Sequence, residues 1–445
     1  MGEATEKTNN FASQEGGGIT VLNLFFLSVV ALFAGIAIDV SSVISARTQL
    51  QVTADAAAHA ALVHREWHEP EEAKRIAIEI ALNNMASDDF GEVLSEDNIV
   101  FGDYDRATKS FTPDADSRNA VLVKTERLTS KNNPVSTFLL QFAGFLNFDV
   151  EAVALFETFY PICLMEGFVA QGIIDIQSNN SYFNGFCIHS NEYVTINNNN
   201  FFQPGTIVSM PDSDLLEVNI TGNGEDKNEG LEEALREGKW FIKVLNRIAR
   251  IEEGLQTEGH RYAQEFTTDF DVIDINTDMK HLKQGNKWVI EETSLTAGRV
   301  YTISNCNKVD IKSGTYEGIV LIADCQVEIS NSVHLIDTVL LTTYDGSKAF
   351  YSPAQVTLGK KDTCASGGGA KLVTNGDVDL SAGVLMYGSQ IVAGGNVEFS
   401  SNADGMEGAS IISGGRIDST SNMNFAFCGT GVEHFFNADY FRLAG

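Results

Sequence analysis

A short phrase that recurs about every 19 residues constrains the C-terminal half of this chain more than any other feature. The phrase is an apolar residue, an acidic or polar residue, a second apolar residue, any residue, and usually Ser or Asn. Gly-led apolar runs such as 318–322 and 408–412 fall between the copies. A period near 19 with short strands predicts a parallel β-helix (β-solenoid) over residues 161–445. The copies begin at Ile174, Val194, Val309, Val327, Val378, Val397 and Ile417.

Two other strand-rich folds fit the repeat less well. Leucine-rich repeats share the period but need a repeated Leu frame, which this sequence does not have. A β-sandwich needs antiparallel hairpin signals, and it does not require nearly regular self-similarity. An amphipathic helical pattern at about 228–260 interrupts the repeat, and it predicts a helical insertion in the solenoid or a cap packed on it.

The repeat also predicts where its acidic residues point. If both apolar residues of a phrase face inward, the residue between them faces outward. Stacked like charges repel each other, and calcium, salt or a basic partner would reduce this repulsion. The alternative is an acidic face that is solvated and serves solubility. The predicted acidic face contains Asp310 above Glu328 in one column, and Asp379, Glu398 and Asp418 in a second.

The six cysteines provide a test of the stacked arrangement. Cys163 and Cys187 are 24 residues apart, and Cys306 and Cys325 are 19 apart, which is close to one turn of the solenoid. Neighbouring turns place equivalent positions about 4.8 Å apart, and disulfides accept Cα separations of about 4.4–6.8 Å. Six cysteines allow about fifteen connectivities. The spacing favours these two pairs, which leaves Cys364 to pair with Cys428.

The N-terminal region predicts a membrane anchor. The charge-free run from Ile19 to Ile38 is 20 residues long, so as a helix it spans about 30 Å, the thickness of a bilayer core. The apolar region of a cleavable signal is shorter, about 7–15 residues. We therefore expect a cytoplasmic tail at 1–18, a retained single span continued by an Ala-rich helix over 19–68, and an exported C-terminal part.

Residues 69–160 predict a small α/β, pilin-like module. Pro70 opens a helix with two glutamates in its first turn, as the helix dipole favours. Strand-like and helical patterns then alternate. The predicted elements are strands at 98–104, 120–126 and 148–156 and a helix at 134–145.

The order of features at the N-terminus resembles a known family. An acidic-glycine lead (15–18) precedes the apolar run, Gly35–Val40, Ala46–Gln51 and the run Ala54–Ala58. This order resembles the N-terminal domain of TadE/TadG-like proteins of bacterial Flp/Tad (tight adherence) pilus-assembly systems, and the likeness continues more loosely to about residue 157. It implies a protein of the bacterial inner membrane, with its bulk in the periplasm, that helps to assemble or anchor a pilus.

One departure from the family bears on processing. Pilin-like members are cut after a Gly that lies five residues before a Glu, whereas a cut after Gly18 would place Asn23 at that position. A permanently anchored, TadG-like protein is therefore expected. Its anchor helix would dock other pilus-assembly subunits or pseudopilins through Asp39, Arg47 and Asp55. A hydrated interfacial carboxylate is the alternative interpretation of Asp39.

Charge and motif content limit the other functions. With 30 basic and 60 acidic residues the net charge is -30, so no surplus of positive charge exists to bind nucleic acid. No close acid–base set indicates an enzyme, and no cofactor is predicted apart from calcium on the acidic face. Two alternatives to the pilus-assembly function are a surface adhesin whose solenoid binds glycans and a β-helix polysaccharide lyase or hydrolase; fold analogy alone supports the latter.

Overall fold

The computed structural model describes residues 17–183, 185–219, 227–401, 403–420, 422–430, 432 and 434–444. The predicted cytoplasmic tail, 1–18, lies almost entirely outside these residues. The chain divides into two compact units. Unit 1 contains Met1–Phe159 together with Asp439–Gly445, and unit 2 contains Tyr160–Ala438.

Unit 1 is built on one long helix. Helix α1 (Gly17–Arg65) runs for 49 residues without a proline, and α2 (Pro70–Asn84) follows after a short turn. Pro70 begins α2, where its missing N–H costs no hydrogen bond, and Glu71 and Glu72 lie in the first turn. Shorter helical turns follow at Ser87–Phe90, Glu96–Asn98, Thr129–Lys131 and Leu140–Ala143.

Five antiparallel strands form the sheet of unit 1, and the last comes from the far end of the chain. Burial alternates along Val150–Phe159, as expected for a sheet with one face against helices. A separate hairpin pairs Val135–Ser136 with Asn147–Phe148. The strand order is Ser110–Pro113, Ile99–Asp105, Ala120–Arg127, Val150–Phe159 and Tyr440–Leu443.

Among its described residues, unit 2 contains three long sheets in which every pairing is parallel apart from that of Lys283–Gln284 with Lys287–Ile290. In spatial order, sheet 1 is Leu235–Glu237, Ile207–Met210, Cys187–Ser190, Gly167–Ala170, Ser410–Ser413, Gln390–Ala393, Ala370–Thr374, Thr338–Thr342, Val320–Ala323, Val300–Ile303 and Val272–Asp274. Sheet 2 is Glu217–Asn219, Val194–Asn197, Ile174–Ile176, Ile417–Asp418, Val397–Phe399, Val378–Leu380, Phe350–Tyr351, Gln326–Ile329, Lys308–Ile311, Lys287–Ile290 and Lys283–Gln284. Sheet 3 is Phe201–Phe202, Ser181–Tyr182, Met423–Ala426, Ala403–Glu407, Val384–Tyr387, Val356–Leu358, Val333–Ile336 and Gly314–Glu317. All seven copies of the repeated phrase lie in sheet 2.

The chain enters these sheets in the middle. Strand Gly167–Ala170 pairs with Cys187–Ser190 on one side and with Ser410–Ser413 on the other. Successive strands then lead to one end of sheet 1 at Leu235–Glu237. The chain resumes at the opposite end with Val272–Asp274 and returns strand by strand to the middle. The last strands of unit 2 therefore lie beside its first.

The segment that joins the two ends of sheet 1 is largely helical. It contacts sheet 1 along its way: Asn191 exchanges hydrogen bonds with Trp240, and Lys371 lies over the ring of Phe266. The predicted helical span 228–260 contains strand 235–237 as well as helices. The helical turns of unit 2 are Ile162–Met165, Ser213–Leu215, Leu231–Ala234, Lys243–Arg247, Ile248–Leu255, Arg261–Phe266, Ile275–Asp278, Lys280–Leu282 and Glu292–Ser294.

Stacked side chains fill the interior of unit 2. The Tyr182 ring stacks on Phe202 and Phe425, with ring centroids 5.0 and 4.8 Å apart. Beside them lies a ladder of buried asparagines, of which one rung joins Asn180 N–H to the Asn200 side-chain oxygen at 2.9 Å. The Asn228 side chain accepts from Asn200 N–H in the same way. Asn180, Asn200 and Asn228 therefore form one hydrogen-bonded ladder across successive turns of the chain.

Candidate membrane-anchoring and assembly site

The apolar stretch of α1 has no protein covering over most of its length. Ile19, Phe25 and Phe33 expose 69, 63 and 66 % of their surfaces. Among the described residues, α1 is the one helix long and apolar enough to cross a bilayer. Since contact between water and so much apolar surface is unfavourable, this stretch is a candidate membrane anchor.

Asp39, at the C-terminal end of this stretch, is almost fully buried. Its carboxylate accepts hydrogen bonds from the backbone N–H groups of Phe138, Leu139 and Leu140, the last two at 3.0 and 2.6 Å. The carboxylate therefore has partners within its own chain. The predicted role of Asp39 in docking a neighbouring subunit stays a prediction, and the structure adds a second role, which is to hold this loop against α1.

The loop held by Asp39 is an irregular hairpin, so the predicted helix at 134–145 is wrong. A short 3₁₀ turn at Leu140–Ala143 ends at Gly144. Gly144 has a φ of 93°, which lies outside the helical and strand regions and which glycine adopts more readily than other residues. The Thr137 N–H bonds to the Leu146 carbonyl and closes the hairpin. In the predicted helix, the N–H groups of residues 138–140 would bond to carbonyls four residues earlier. They bond instead to the Asp39 carboxylate, about 100 residues away in sequence.

The Ala-rich part of α1 packs within unit 1. Ala54, Ala57, Ala58 and Ala61 are buried in one cluster with Ala73, Ala77 and Ala81 of α2 and apolar residues of the sheet. Small side chains let two helices approach closely, which explains the composition. The Ala-rich face of α1 is therefore used for packing within this chain.

The three predicted assembly residues do not form one site. Asp39, Arg47 and Asp55 are spaced eight residues apart along α1, so neighbours in this series are separated by about 12 Å. Asp55 is half-buried and accepts a hydrogen bond from Gln51 at 2.9 Å. Arg47 is exposed, and so are the apolar side chains of Ile44 and Val52 on the same helix. This exposed face of α1 remains open to a partner.

The acidic residues of the repeat lie side by side on sheet 2. Asp310 pairs in register with Glu328, Asp379 with Glu398, and Glu398 with Asp418. Tyr351 joins the two predicted columns, because it pairs with both Glu328 and Asp379. The column then continues into the start of unit 2, since Asp418 pairs with Asp175.

Basic side chains of the chain itself lie beside this acidic column. Burial raises the pKa of the Asp310 carboxyl, but hydrogen bonds from Lys287 and Lys312, at 2.6 and 2.7 Å, outweigh it and hold the pKa below its usual value. Lys308 pairs with Glu328, and Lys348 with Asp379. Arg416 bridges Asp418 and Asp175. Lysine and arginine side chains of the same chain therefore reduce the repulsion between the stacked carboxylates. Basic groups were one of the three expected ways to reduce it, beside calcium and salt.

The structure contains the two cysteine pairs that the spacing favours and the pair that they leave. The Cα atoms of Cys163 and Cys187 are 4.8 Å apart, and those of Cys306 and Cys325 are 5.6 Å apart. Cys364 and Cys428, with Cα atoms 5.7 Å apart, form the third disulfide. The first bond joins the helical turn Ile162–Met165 to the start of strand Cys187–Ser190, and the other two join loops of unit 2.

Two features of interest were not predicted. The first is the loop held by Asp39, which belongs to a charge-free stretch, 132–148, with four phenylalanines; that stretch is a signal the sequence does contain. The second is Lys371, buried in sheet 1 beneath the rings of Phe266 and Phe435. Burial lowers the pKa of Lys371 to about 8, although the carboxylates of Glu265 and Asp337 oppose this shift. No local pattern marks that position.

Matches to known protein families divide the chain close to the boundary between unit 1 and unit 2. Residues 17–64 match the family described as putative Flp pilus-assembly TadE/G-like, and residues 55–155 match putative Tad-like Flp pilus-assembly. Residues 167–429 match a domain of unknown function, DUF7867. No curated protein and no solved structure matches the chain. The matches confirm the predicted resemblance to TadE/TadG-like proteins.

Proposed function

The chain belongs to the DUF7867 family, and its N-terminal region matches TadE/G-like and Tad-like domains. We therefore propose that it is a membrane-anchored structural component of a Flp/Tad pilus-assembly system. The match of residues 17–64 to the TadE/G-like family is the observation that carries this proposal. The uncovered apolar stretch of α1 in the same residues supports a single-pass anchor in the bacterial inner membrane. The proposed role is structural, without a catalytic site or a cofactor.

The proposed orientation places both units in the periplasm. Disulfides persist in oxidising compartments such as the periplasm and are rare in the cytosol. All six cysteines are paired. Because they follow the span, export of the C-terminal part would bring them into that compartment.

We further propose that unit 2 is a β-solenoid that projects from the anchor. Its three sheets share one strand order, and eight successive turns of the stack each contribute one strand to all three sheets. Parallel in-register stacking buries a continuous apolar core between the sheets, as solenoids do. The chain visits the turns in an unusual order because unit 2 begins in the middle of the stack.

The exposed face of α1 beyond the span is the proposed docking surface for pilus subunits. It contains Ile44 and Val52, which expose 61 and 59 % of their surfaces, with Arg47 nearby. Residues eight apart lie within about 80° of each other on a helix, so the two apolar side chains share a face. Another amphipathic helix, such as that of a pilin-like subunit, would bury this face.

The experiment that tests this role is a charge substitution on that face. In the host bacterium, the double variant Ile44→Glu, Val52→Glu should remain in the membrane fraction but lose pilus assembly, because buried unpaired carboxylates oppose helix docking. Leu82→Glu is the control, since Leu82 is an exposed apolar residue of α2, outside the proposed docking surface. Normal piliation of the double variant would contradict the proposed docking role.

A further inference from the structure

The loop held by Asp39 is unusual for a surface in contact with water. Phe138, Phe142, Phe145 and Leu146 expose 68, 85, 63 and 63 % of their surfaces. They lie within the charge-free stretch 132–148, between Lys131 and Asp149. Four large apolar side chains on one hairpin form the kind of exposed patch that marks an interaction site.

The position of the loop along α1 indicates which partner it meets. Leu139 lies against Gly35 so closely that a Cβ at Gly35 would be 2.9 Å from the Leu139 Cβ. From there the loop follows the helix toward its N-terminus, where Phe142 and Ala143 line a groove with Ser28, Ala31 and Leu32. Ser28 is ten residues before the end of the apolar run, or about 15 Å into a span of about 30 Å. The loop therefore lies beside the half of the span that is nearer to Asp39.

Most backbone N–H groups of the loop are already hydrogen-bonded within the protein. An unpaired backbone N–H or C=O is costly in hydrocarbon, so an irregular segment can lie there only if its own contacts satisfy it. Three N–H groups bond to the Asp39 carboxylate. Those of Thr137, Phe142, Gly144 and Phe145 bond to carbonyls within the loop. The Gln141 side chain donates to the Phe138 carbonyl at 2.8 Å.

We propose that residues 138–146 enter the bilayer beside α1, so that the membrane anchor consists of a helix and a re-entrant hairpin. Phe138, Phe142, Phe145 and Leu146 then face lipid. Asp39 stands where the hairpin meets the helix and binds the N–H groups that lipid could not satisfy. This inference rests on the proposed membrane anchor, and it assigns the loop a lipid partner that the anchor alone does not require.

Depth-dependent fluorescence quenching tests the inference. Full-length variants Phe142→Trp, Phe33→Trp and Leu82→Trp would be placed in phosphatidylcholine vesicles whose acyl chains carry bromine, which quenches nearby tryptophan. The unmodified chain, with its three tryptophans, supplies the background. Phe33 reports on the span itself, and Leu82, an exposed apolar residue of α2, serves as the control outside the membrane.

We expect the tryptophans at positions 142 and 33 to be quenched well above the background and that at 82 to match it. Quenching at 33 without quenching at 142 would overturn the inference and leave the anchor intact, and the loop would then be a surface for a protein partner. Absence of quenching at 33 would overturn the anchor, and the loop proposal with it. Adding Gly35→Leu, which crowds Leu139, should reduce quenching at 142 but not at 33.

Discussion

The guanidinium of Arg416 donates a hydrogen bond of 2.7 Å to the carboxylate of Asp175, although 241 residues separate the two in sequence. Arg416 also pairs with Asp418, which lies in register with Asp175 on the neighbouring strand of sheet 2. One cation thus lies at the seam where the last turn of unit 2 meets the first. Strand pairing at this seam places the beginning and the end of unit 2 side by side.

Substitution of Arg416 should weaken this seam. Arg416→Ala leaves two register-paired carboxylates without their shared cation, and because all three groups are partly exposed we expect a loss of about 1 kcal/mol. The difference in unfolding temperature from the unmodified chain should shrink in 1 M salt, which screens such charges. Arg299→Ala is the control, because its partners Asp269 and Asp271 are more exposed. Equal effects of the two variants would contradict a special role for the seam.

The asparagine ladder should tolerate no charge. The Asn180 amide donates to the carbonyls of Thr420 and Gln177, and its oxygen accepts from Met423 N–H. Asn180→Asp would place a buried carboxylate against two carbonyl oxygens, so we expect destabilisation by about 3 kcal/mol or more, measured by thermal unfolding. Asn179→Asp, at an exposed neighbouring position, should change stability by less than about 0.5 kcal/mol. A small effect of Asn180→Asp would show that the ladder is not formed.

Lys371 should make stability depend on pH in the alkaline range. Burial lowers the pKa of Lys371 to about 8 from an ordinary value of 10.5. Between these values the unfolded chain binds more protons than the folded chain, so the free energy of unfolding should rise with pH. Relative to Lys371→Met, the unmodified chain should gain about 1 kcal/mol per pH unit from pH 8 to pH 10 in denaturant unfolding. An unchanged difference across that window would contradict the assignment; Lys361→Met, at an exposed lysine, is the control.

Removal of the Asp39 carboxylate should release the loop that it binds. Asp39→Ala leaves three N–H groups without their acceptor, and each bond to a charged group contributes about 1.5–3 kcal/mol. Amide hydrogen exchange over residues 138–145 should accelerate by about 100-fold in detergent-solubilised protein. Asp149→Ala, which removes an exposed carboxylate bonded to Thr129, should leave exchange in this loop unchanged. Equal exchange in both variants would show that Asp39 does not hold the loop.

Much of the fold follows from local sequence pattern. The repeated phrase predicted parallel strands in the C-terminal region, and its alternation predicted which acids stack, such as Asp379 beside Glu398. The spatial order of the turns could not be predicted. Every copy of the phrase has similar strand edges, and no local signal indicates which copy lies next to Ile417–Asp418 in the sheet. The pairing of that strand with Ile174–Ile176 depends on the whole stack.

The site was predictable in part for a similar reason. The apolar run and the Ala-rich segment depend on composition, so α1 was predicted together with its candidate role as an anchor. The helix predicted at 134–145 failed because a distant carboxylate, Asp39, binds the N–H groups of the loop. Tertiary contacts of this kind override local propensity.

The proposed function is that the exposed face of α1 docks pilus-assembly subunits at the membrane. Its most direct test is in-cell photo-crosslinking, with a photoreactive amino acid at Ile44 or Val52 and, as a control, at Leu82. Mass spectrometry would then identify the trapped proteins. We expect pilin-like subunits or other Tad components at the α1 positions and not at Leu82. Recovery at Ile44 and Val52 of only this chain, or of unrelated envelope proteins, would contradict it.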